Sequence, residues 1–328
     1  MISEIEYKPY KELEYSSLIL NLKINNILVN VIRRTILNDV PTYAIPRELI
    51  KIETDTTIFN RDQLTLRLTQ LPLLNLDTEL SYLEPEYYEK KYDDLTRKVH
   101  PKEKDIKFYV HGKNTDILKK NITTNDMTCY INGKKIETKY SKNYPIILTV
   151  LRKDQEIDLN MKAVIGIGLK DVKWCPVSKC YFTYDNDPND CKLYIYSRGQ
   201  LSEYDIIRKA LENIIYKLQN NKLLIHNFIN DFLEKQNNIK NNKENNDINE
   251  IKITFDNLTI GNILNYFLQN DNNLLSSGIF KKTYLLDEAN LIIKYDNKAN
   301  ILKEIDNNMN KAIELFTTLL NQLNKLKH

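Results

Sequence analysis

The sequence predicts an α+β protein made of two units on one plan, each an antiparallel sheet with helices, that pair within a single chain as a pseudo-heterodimer. The first unit carries a β-rich insertion. Three observations lead there. Ile24 to Pro46 reads as an amphipathic helix running into proline-punctuated extended chain. The pattern recurs far downstream, where Leu28-Val-Asn30-Val-Ile32 lines up with Ile260-Gly-Asn262-Ile-Leu264. Between the copies lies a low-complexity bridge, Gln236 to Asn249, in which seven of the thirteen residues from 237 to 249 are Asn. The expected domains are 1–46 with 146–235, the insertion 47–145, the linker 236–249 and the second unit 250–328.

In chain order, Leu13 to Leu22 alternates well enough for a strand. In the helix that follows, Leu28, Val29, Ile32, Ile36 and Leu37 share a face, with Arg33 and Arg34 at its edge. Taken alone, that is a core helix with two solvated arginines. Asn38-Asp39 supplies its exit, and Pro41 and Pro46 keep the chain extended. Leu49 to Phe59 reads as β, and Leu64 to Leu76 as a short helix stopped by Pro72. Residues 79–104, charged and rich in tyrosine, show no core period and read as a solvated excursion. Strands follow at Ile106 to Val110 and Met127 to Ile131, with Asn132-Gly133 as a hairpin signal before Lys134 to Lys139. Pro145 to Leu159 is one strand and the start of another about the turn Arg152 to Gln155, and Met161 to Ile167 continues it.

Gly166 to Val177 is a glycine-bearing loop holding the one tryptophan, Trp174. It lacks the third glycine, the Lys-Ser/Thr and the following helix of a phosphate loop. Trp174 reads as a plug at the loop base, or with Lys170 and Lys173 as an interface hot spot. Lys192 to Tyr196 is a strand, and Ser202 caps a helix running to about Lys235. In the second unit come a strand at Glu250 to Phe255 and a helix bearing Ile260, Ile263, Leu264, Phe267 and Leu268. A turn at Gly278 and strands at Lys282 to Leu286 and Ala289 to Tyr295 follow. The closing helix carries the stripe Ile301, Ile305, Met309, Ala312, Phe316, Leu319 and Leu323. The first helix finds its partner here: Leu28, Val29, Ile32 and Ile36 are expected to pack on Ile260, Ile263, Leu264 and Phe267. A tether makes that contact intramolecular, at an effective concentration on the order of millimolar.

Composition narrows the function. The 328 residues hold 47 basic and 44 acidic side chains, a formal charge of +3, so electrostatics does not demand a nucleic-acid partner. A nucleic-acid-binding module is the alternative reading, but its best candidate stretch, Tyr82 to Lys98, is mixed in charge. No stretch reaches the ~18 apolar residues of a membrane span, and neither secretion nor membrane contact is expected. Four cysteines without a CxxC pair read as free thiols of a reducing compartment. Neither a paired-carboxylate metal motif nor an activated nucleophile is present, so no catalytic residue is expected.

Asn26-x-Leu28-x-Asn30-x-x-Arg33-Arg34, followed by Asp39-Val-Pro41-Thr42 and Ala44-Ile45, resembles the signature of the larger α-like polypeptide of multisubunit RNA polymerases, known as D in archaea and as the third subunit in eukaryotes. Thr57 to Leu73 is similar to that family's next block, and Gly166-Ile-Gly168 through Lys173-Trp174-Cys175-Pro176-Val177 to its GIG...KWSPV loop. Thr259-Ile-Gly261-Asn262-Ile-Leu264 resembles the motif of the smaller partner, known as L in archaea and as the eleventh subunit in eukaryotes. Nucleocytoplasmic large DNA viruses are known for fusing the two. The resemblance implies a non-catalytic platform in a DNA-dependent RNA polymerase, for assembly of the second-largest and then the largest subunits, with small zinc-binding subunits alongside. It implies virion and host cytoplasm for a viral chain, and nucleus for a cellular one. Arg33, Arg34, Lys170, Lys173 and Trp174 become the residues expected to dock the large subunits, since Arg geometry suits carboxylates. Relatives hold zinc or an iron-sulfur cluster with insertion cysteines. Here that region has Cys129 alone, so neither metal nor cofactor is expected. Cys175 stands where the family has Ser, and Asn265 replaces a common basic residue.

Overall fold

The computed structural model describes residues 2–9, 16–57, 60–74, 76, 80, 82–84, 87–88, 99–239, 248–255, 258–281, 283, 288–296 and 301–326. The first sheet is antiparallel in the order β1 (Ile2–Lys8), β2 (Ser17–Leu22), β12 (Cys191–Ser197), β11 (Val177–Tyr184). Alternation buries Leu18, Leu20 and Leu22 of β2 and Leu193 and Ile195 of β12 on one face. That face is covered by α1 (Asn26–Asn38) and α3 (Glu203–Ile239). Strand β1 is nearly all exposed, and an edge strand of that kind carries no alternation for sequence reasoning to find.

The second sheet is built on β10 (Gln155–Ile167), whose length lets it pair along one side with both β4 (Ile50–Asp55) and β3 (Pro41–Ala44). Its other side pairs with β5 (Ile106–Asn114), which continues to β7 (Met127–Ile131) and β8 (Lys134–Ile136). Asn132 and Gly133, at φ 49° and 79°, make the tight turn expected between β7 and β8. Helix α2 (Arg61–Thr69) and the pair β6 (Lys120–Thr123) and β9 (Ile147–Leu151) complete this region. Its core draws on Tyr43 and Ile45 and on Leu148 to Ile167, and so extends past the 47–145 expected for an insertion. A strand hydrogen-bonded on both sides to one sheet cannot send its apolar face elsewhere.

The excursion at 79–104 needs correcting. Leu80, Leu83 and Tyr88 are buried in the second core, the Tyr88 hydroxyl accepts from the Leu83 N–H at 3.0 Å, and Lys209 Nζ donates to the Leu80 carbonyl. These residues bury without a helical or strand period, which is why pattern reading passed over them.

The third sheet has the order β13 (Ile248–Phe255), β15 (Ala289–Asp296), β14 (Ser276–Phe280), packed by α4 (Leu258–Gln269) and α5 (Ile301–Leu326). Gly278 is no turn: it sits within β14 opposite Ile292. The expected strand Lys282 to Leu286 falls outside the described residues apart from Thr283, which is not in a strand. Helix α3 persists to Ile239 and β13 starts at Ile248, narrowing the bridge to residues 240–247, which lie outside the described set. One continuous core contains Leu28 and Ile32 of α1, Ile214 and Ile225 of α3, Ile263 of α4 and Phe316 of α5.

Candidate functional site

Helix α1 is fixed at both ends. Asn25 caps it by accepting from the Ile27 N–H at 3.0 Å, and the Asn26 N–H donates to the Pro188 carbonyl at 2.8 Å. At the exit, Asp39 accepts from Lys217 Nζ at 2.9 Å, with only 10% and 16% of the two side chains exposed. Asn213 Nδ2 of α3 reaches the Asp39 carbonyl at 3.0 Å. The helix therefore has one rotation about its axis, and that rotation buries Leu28, Val29, Val31, Ile32, Thr35 and Ile36.

Across from it, α4 buries Ile260, Ile263, Leu264 and Leu268, with Phe267 partly buried beside them. All eight residues expected at the interhelical contact lie in the one core, and α1 touches α4. Gly261 lets α4 lie close on its sheet: a Cβ there would stand 2.3 Å from Ile279 Cδ1. The larger helix contact is between α3 and α5, where Lys222 Nζ meets Asn310 Oδ1 at 2.8 Å and His226 Nδ1 meets Asp306 Oδ2 at 3.3 Å. Sequence reasoning did not pair these two helices, although the α5 stripe and the apolar residues of α3 at three-and-four spacing were the available signal.

The five docking candidates fare differently. Arg34 and Lys170 are exposed. Arg33 is half-buried, and its Nε and Nη2 both donate to Asn30 Oδ1, at 3.0 and 2.8 Å, which sets the guanidinium plane. Lys173 is 13% exposed and committed, pairing with Asp171 at 3.0 Å and lying 4.5 Å over the Trp174 ring. Trp174 itself is 2% exposed, so the expectation that it docks a partner is corrected. Its Nε1 donates to the Val164 carbonyl at 3.1 Å, and Thr42 Oγ1 donates to its own carbonyl at 2.6 Å. The ring lies where a Cβ on Gly166 would stand, 2.4 Å away, and Gly168 lets the Leu37 carbonyl of α1 approach within 2.0 Å of where its Cβ would be. The glycine pair thus serves to seat an indole and a helix end. The Leu169 N–H donates to the Asn38 carbonyl at 2.9 Å, so the loop carrying Lys170 abuts the end of the helix carrying Arg33 and Arg34.

All four cysteines are buried free thiols. Burial pushes the Cys180 thiol up to about 12, with Arg33 pulling the other way, and pushes Cys129 up to about 11. Thiols so shifted are not poised for nucleophilic or metal chemistry at neutral pH. Among the described residues no group of three or more His, Cys, Asp or Glu is placed to hold a metal ion, and no helix is long and apolar enough to cross a membrane.

A family model described as the RNA polymerase Rpb3/Rpb11 dimerisation domain matches residues 22–218. The chain is 26% identical over 223 residues to a protein of Acanthamoeba polyphaga mimivirus provisionally named a DNA-directed RNA polymerase subunit, covering 60% of this chain and 61% of the relative. It is 28% identical over 167 residues to DNA-directed RNA polymerase II subunit RPB3 of Schizosaccharomyces pombe, covering 48% and 52%. Subunit 3B of DNA-directed RNA polymerases IV and V of Arabidopsis thaliana matches at 25% over 168 residues, covering 49% and 50%. The chain thus spans about half to three fifths of the length of these relatives. The family match ends within α3, and residues 250–328 lie beyond it.

Proposed function

Since this chain belongs to the RNA polymerase Rpb3/Rpb11 dimerisation-domain family, we propose that it is a non-catalytic assembly subunit of a DNA-dependent RNA polymerase, with the larger and smaller α-like partners joined in one polypeptide. The observation that carries this reading is the single core in which α1 and α3 of the first part pack against α4 and α5 of the second. Residues 250–328 repeat the plan of the matched part, with a short helix and a long helix on an antiparallel sheet. On this reading the contact between α1 and α4 is a dimer interface made intramolecular, and its assembly does not depend on protein concentration.

In this proposal the edge formed by Arg33, Arg34 and Lys170 receives the second-largest of the polymerase subunits, and the largest one and the small zinc-binding ones follow. Arg33 is held ready by Asn30, while Arg34 and Lys170 offer exposed cations to carboxylates. Trp174 and Lys173 support that edge from below. The likeness to the mimivirus chain supports a viral polymerase, acting in the virion and host cytoplasm.

The test is co-purification of the two large subunits with the chain carrying Arg33→Ala and Arg34→Ala, checked for an unchanged circular dichroism spectrum and melting midpoint. Recovery of both large subunits is expected to fall at least tenfold, about 1.4 kcal/mol. Unchanged recovery with a folded variant would sink the docking assignment. Failure of the unaltered chain to bring down any of the polymerase subunits would sink the function itself.

A further inference from the structure

At the junction of β12 and α3 a cavity of about 190 Å³ is lined by Tyr7, Ser16, Leu74, Lys139, Ser202 and Glu203 among others. Glu203 is the first residue of α3 and is 1% exposed. Its Oε1 accepts from the Ser197 N–H at 3.2 Å, and it forms no ion pair with any cation among the described residues. The neighbouring carboxylates are committed: Asp205 takes Arg208 at 3.2 Å and the Ser202 hydroxyl at 2.6 Å, and Glu4 takes the Tyr204 hydroxyl. Glu203 is the exception.

Burying a carboxylate costs several kcal/mol unless it is paired. A helix N-terminus returns typically about 0.3–1 kcal/mol, and one hydrogen bond to a charged group about 1.5–3. Part of the cost is left unmet. The surroundings are electronegative as well, for burial and then the charges of Glu203, Glu4 and Asp205 push the Tyr7 phenol upward. A negative, hydroxyl-lined cavity repels phosphates and nucleotides. Its volume lies below the roughly 300–1,000 Å³ of sites for drug-sized ligands. Since no group of three metal-ligating side chains is assembled among the described residues, the cavity suits an organic cation on a narrow stem better than a metal ion.

We propose that this pocket receives a lysine or arginine side chain of another polypeptide, with the Glu203 carboxylate as counter-ion, the Ser16 and Ser202 oxygens as further acceptors and Leu74 against the aliphatic stem. It is an anchor site separate from the arginine edge of α1. That the polypeptide is one of the other polymerase subunits rests on the reading above; the pocket's chemistry does not.

The test titrates the purified full chain with the N-methylamides of Nα-acetyl-arginine and Nα-acetyl-lysine, and with the citrulline counterpart as a neutral isostere, following the Ser197 amide by NMR. A saturable shift is expected with one or both cations and none with citrulline, and the two cationic arms tell which residue the pocket takes. Glu203→Gln keeps an acceptor for Ser197 and is expected to weaken binding at least tenfold without altering amide shifts elsewhere. No saturable shift, an equal response to citrulline, or undiminished binding by the Gln variant would overturn the proposal. Binding seen only after Lys139→Met would overturn it too, because Lys139 would then be the pocket's own occupant. The arginine and citrulline arms on the unaltered chain decide the matter even if E203Q fails to fold.

Discussion

One substitution made at two glycines isolates what the loop after β10 does. In Gly168→Ala the new Cβ would stand 2.0 Å from the Leu37 carbonyl oxygen and 3.1 Å from its carbon, against the 3.4 Å at which ordinary contact begins. The obstacle is backbone, so no side-chain rotation relieves it. Either α1 or the loop must move, and movement pulls on the Leu169 to Asn38 hydrogen bond of 2.9 Å. Overpacking costs typically about 1–3 kcal/mol, and a weakened hydrogen bond about 1 more, so the expected loss is about 2–4 kcal/mol. In Gly278→Ala, by contrast, the Cβ meets nothing within 4 Å and φ is not in the left-handed region. Reduced freedom of the unfolded chain then makes that change neutral or stabilising, by about 0.4–1 kcal/mol. The assay is urea unfolding followed by tryptophan fluorescence, which reports from Trp174 beside the altered loop. With a slope of about 3 kcal/mol/M, the Gly168 variant is expected to lose about 1 M in midpoint and the Gly278 variant none. Equal midpoints for the two variants would refute the view that helix α1 is wedged against this loop.

The correction at Trp174 makes a second prediction. Trp174→Ala is expected to cost about 3–5 kcal/mol by opening a cavity against Gly166, and to lower the thermal midpoint before it affects any partner. A variant that melts normally yet loses polymerase subunits would return Trp174 to the surface role. Asp171 supplies a pH dependence. Burial raises its carboxyl pKa, but hydrogen bonds from the Lys173 N–H and ammonium and the Lys173 charge outweigh this and hold it below the ordinary value. A depressed carboxylate contributes stability that is full above its unfolded pKa of about 3.9 and is lost as pH falls through the folded value. Asp171→Asn is therefore expected to be the less stable chain at pH 6 and to close the gap below about pH 4. A gap that widens on acidification would contradict the sign.

The helices and the tight turn were legible in the sequence because their signals are local. Apolar spacing in α1, α4 and α5 reports which side each helix buries, whatever it is buried against, and Asn132-Gly133 suits a turn for reasons internal to two residues. The eight interhelical residues could be named for the same cause. Other features were decided only in three dimensions. Leu80, Leu83 and Tyr88 bury without periodicity because long-range packing, including Lys209 on the Leu80 carbonyl, holds irregular chain under a helix. Trp174 has the composition of a hot spot and the position of a plug, and only the bare backbone of Gly166 and the Val164 carbonyl distinguish the two. Glu203 reads in sequence as one more acidic residue in a helix's first turn; its burial beside an unfilled cavity depends on β12 and residues from distant parts of the chain. Periodicity determines which face of an element turns inward, but what that face meets, and whether a polar group there finds a partner, depends on contacts far away in sequence.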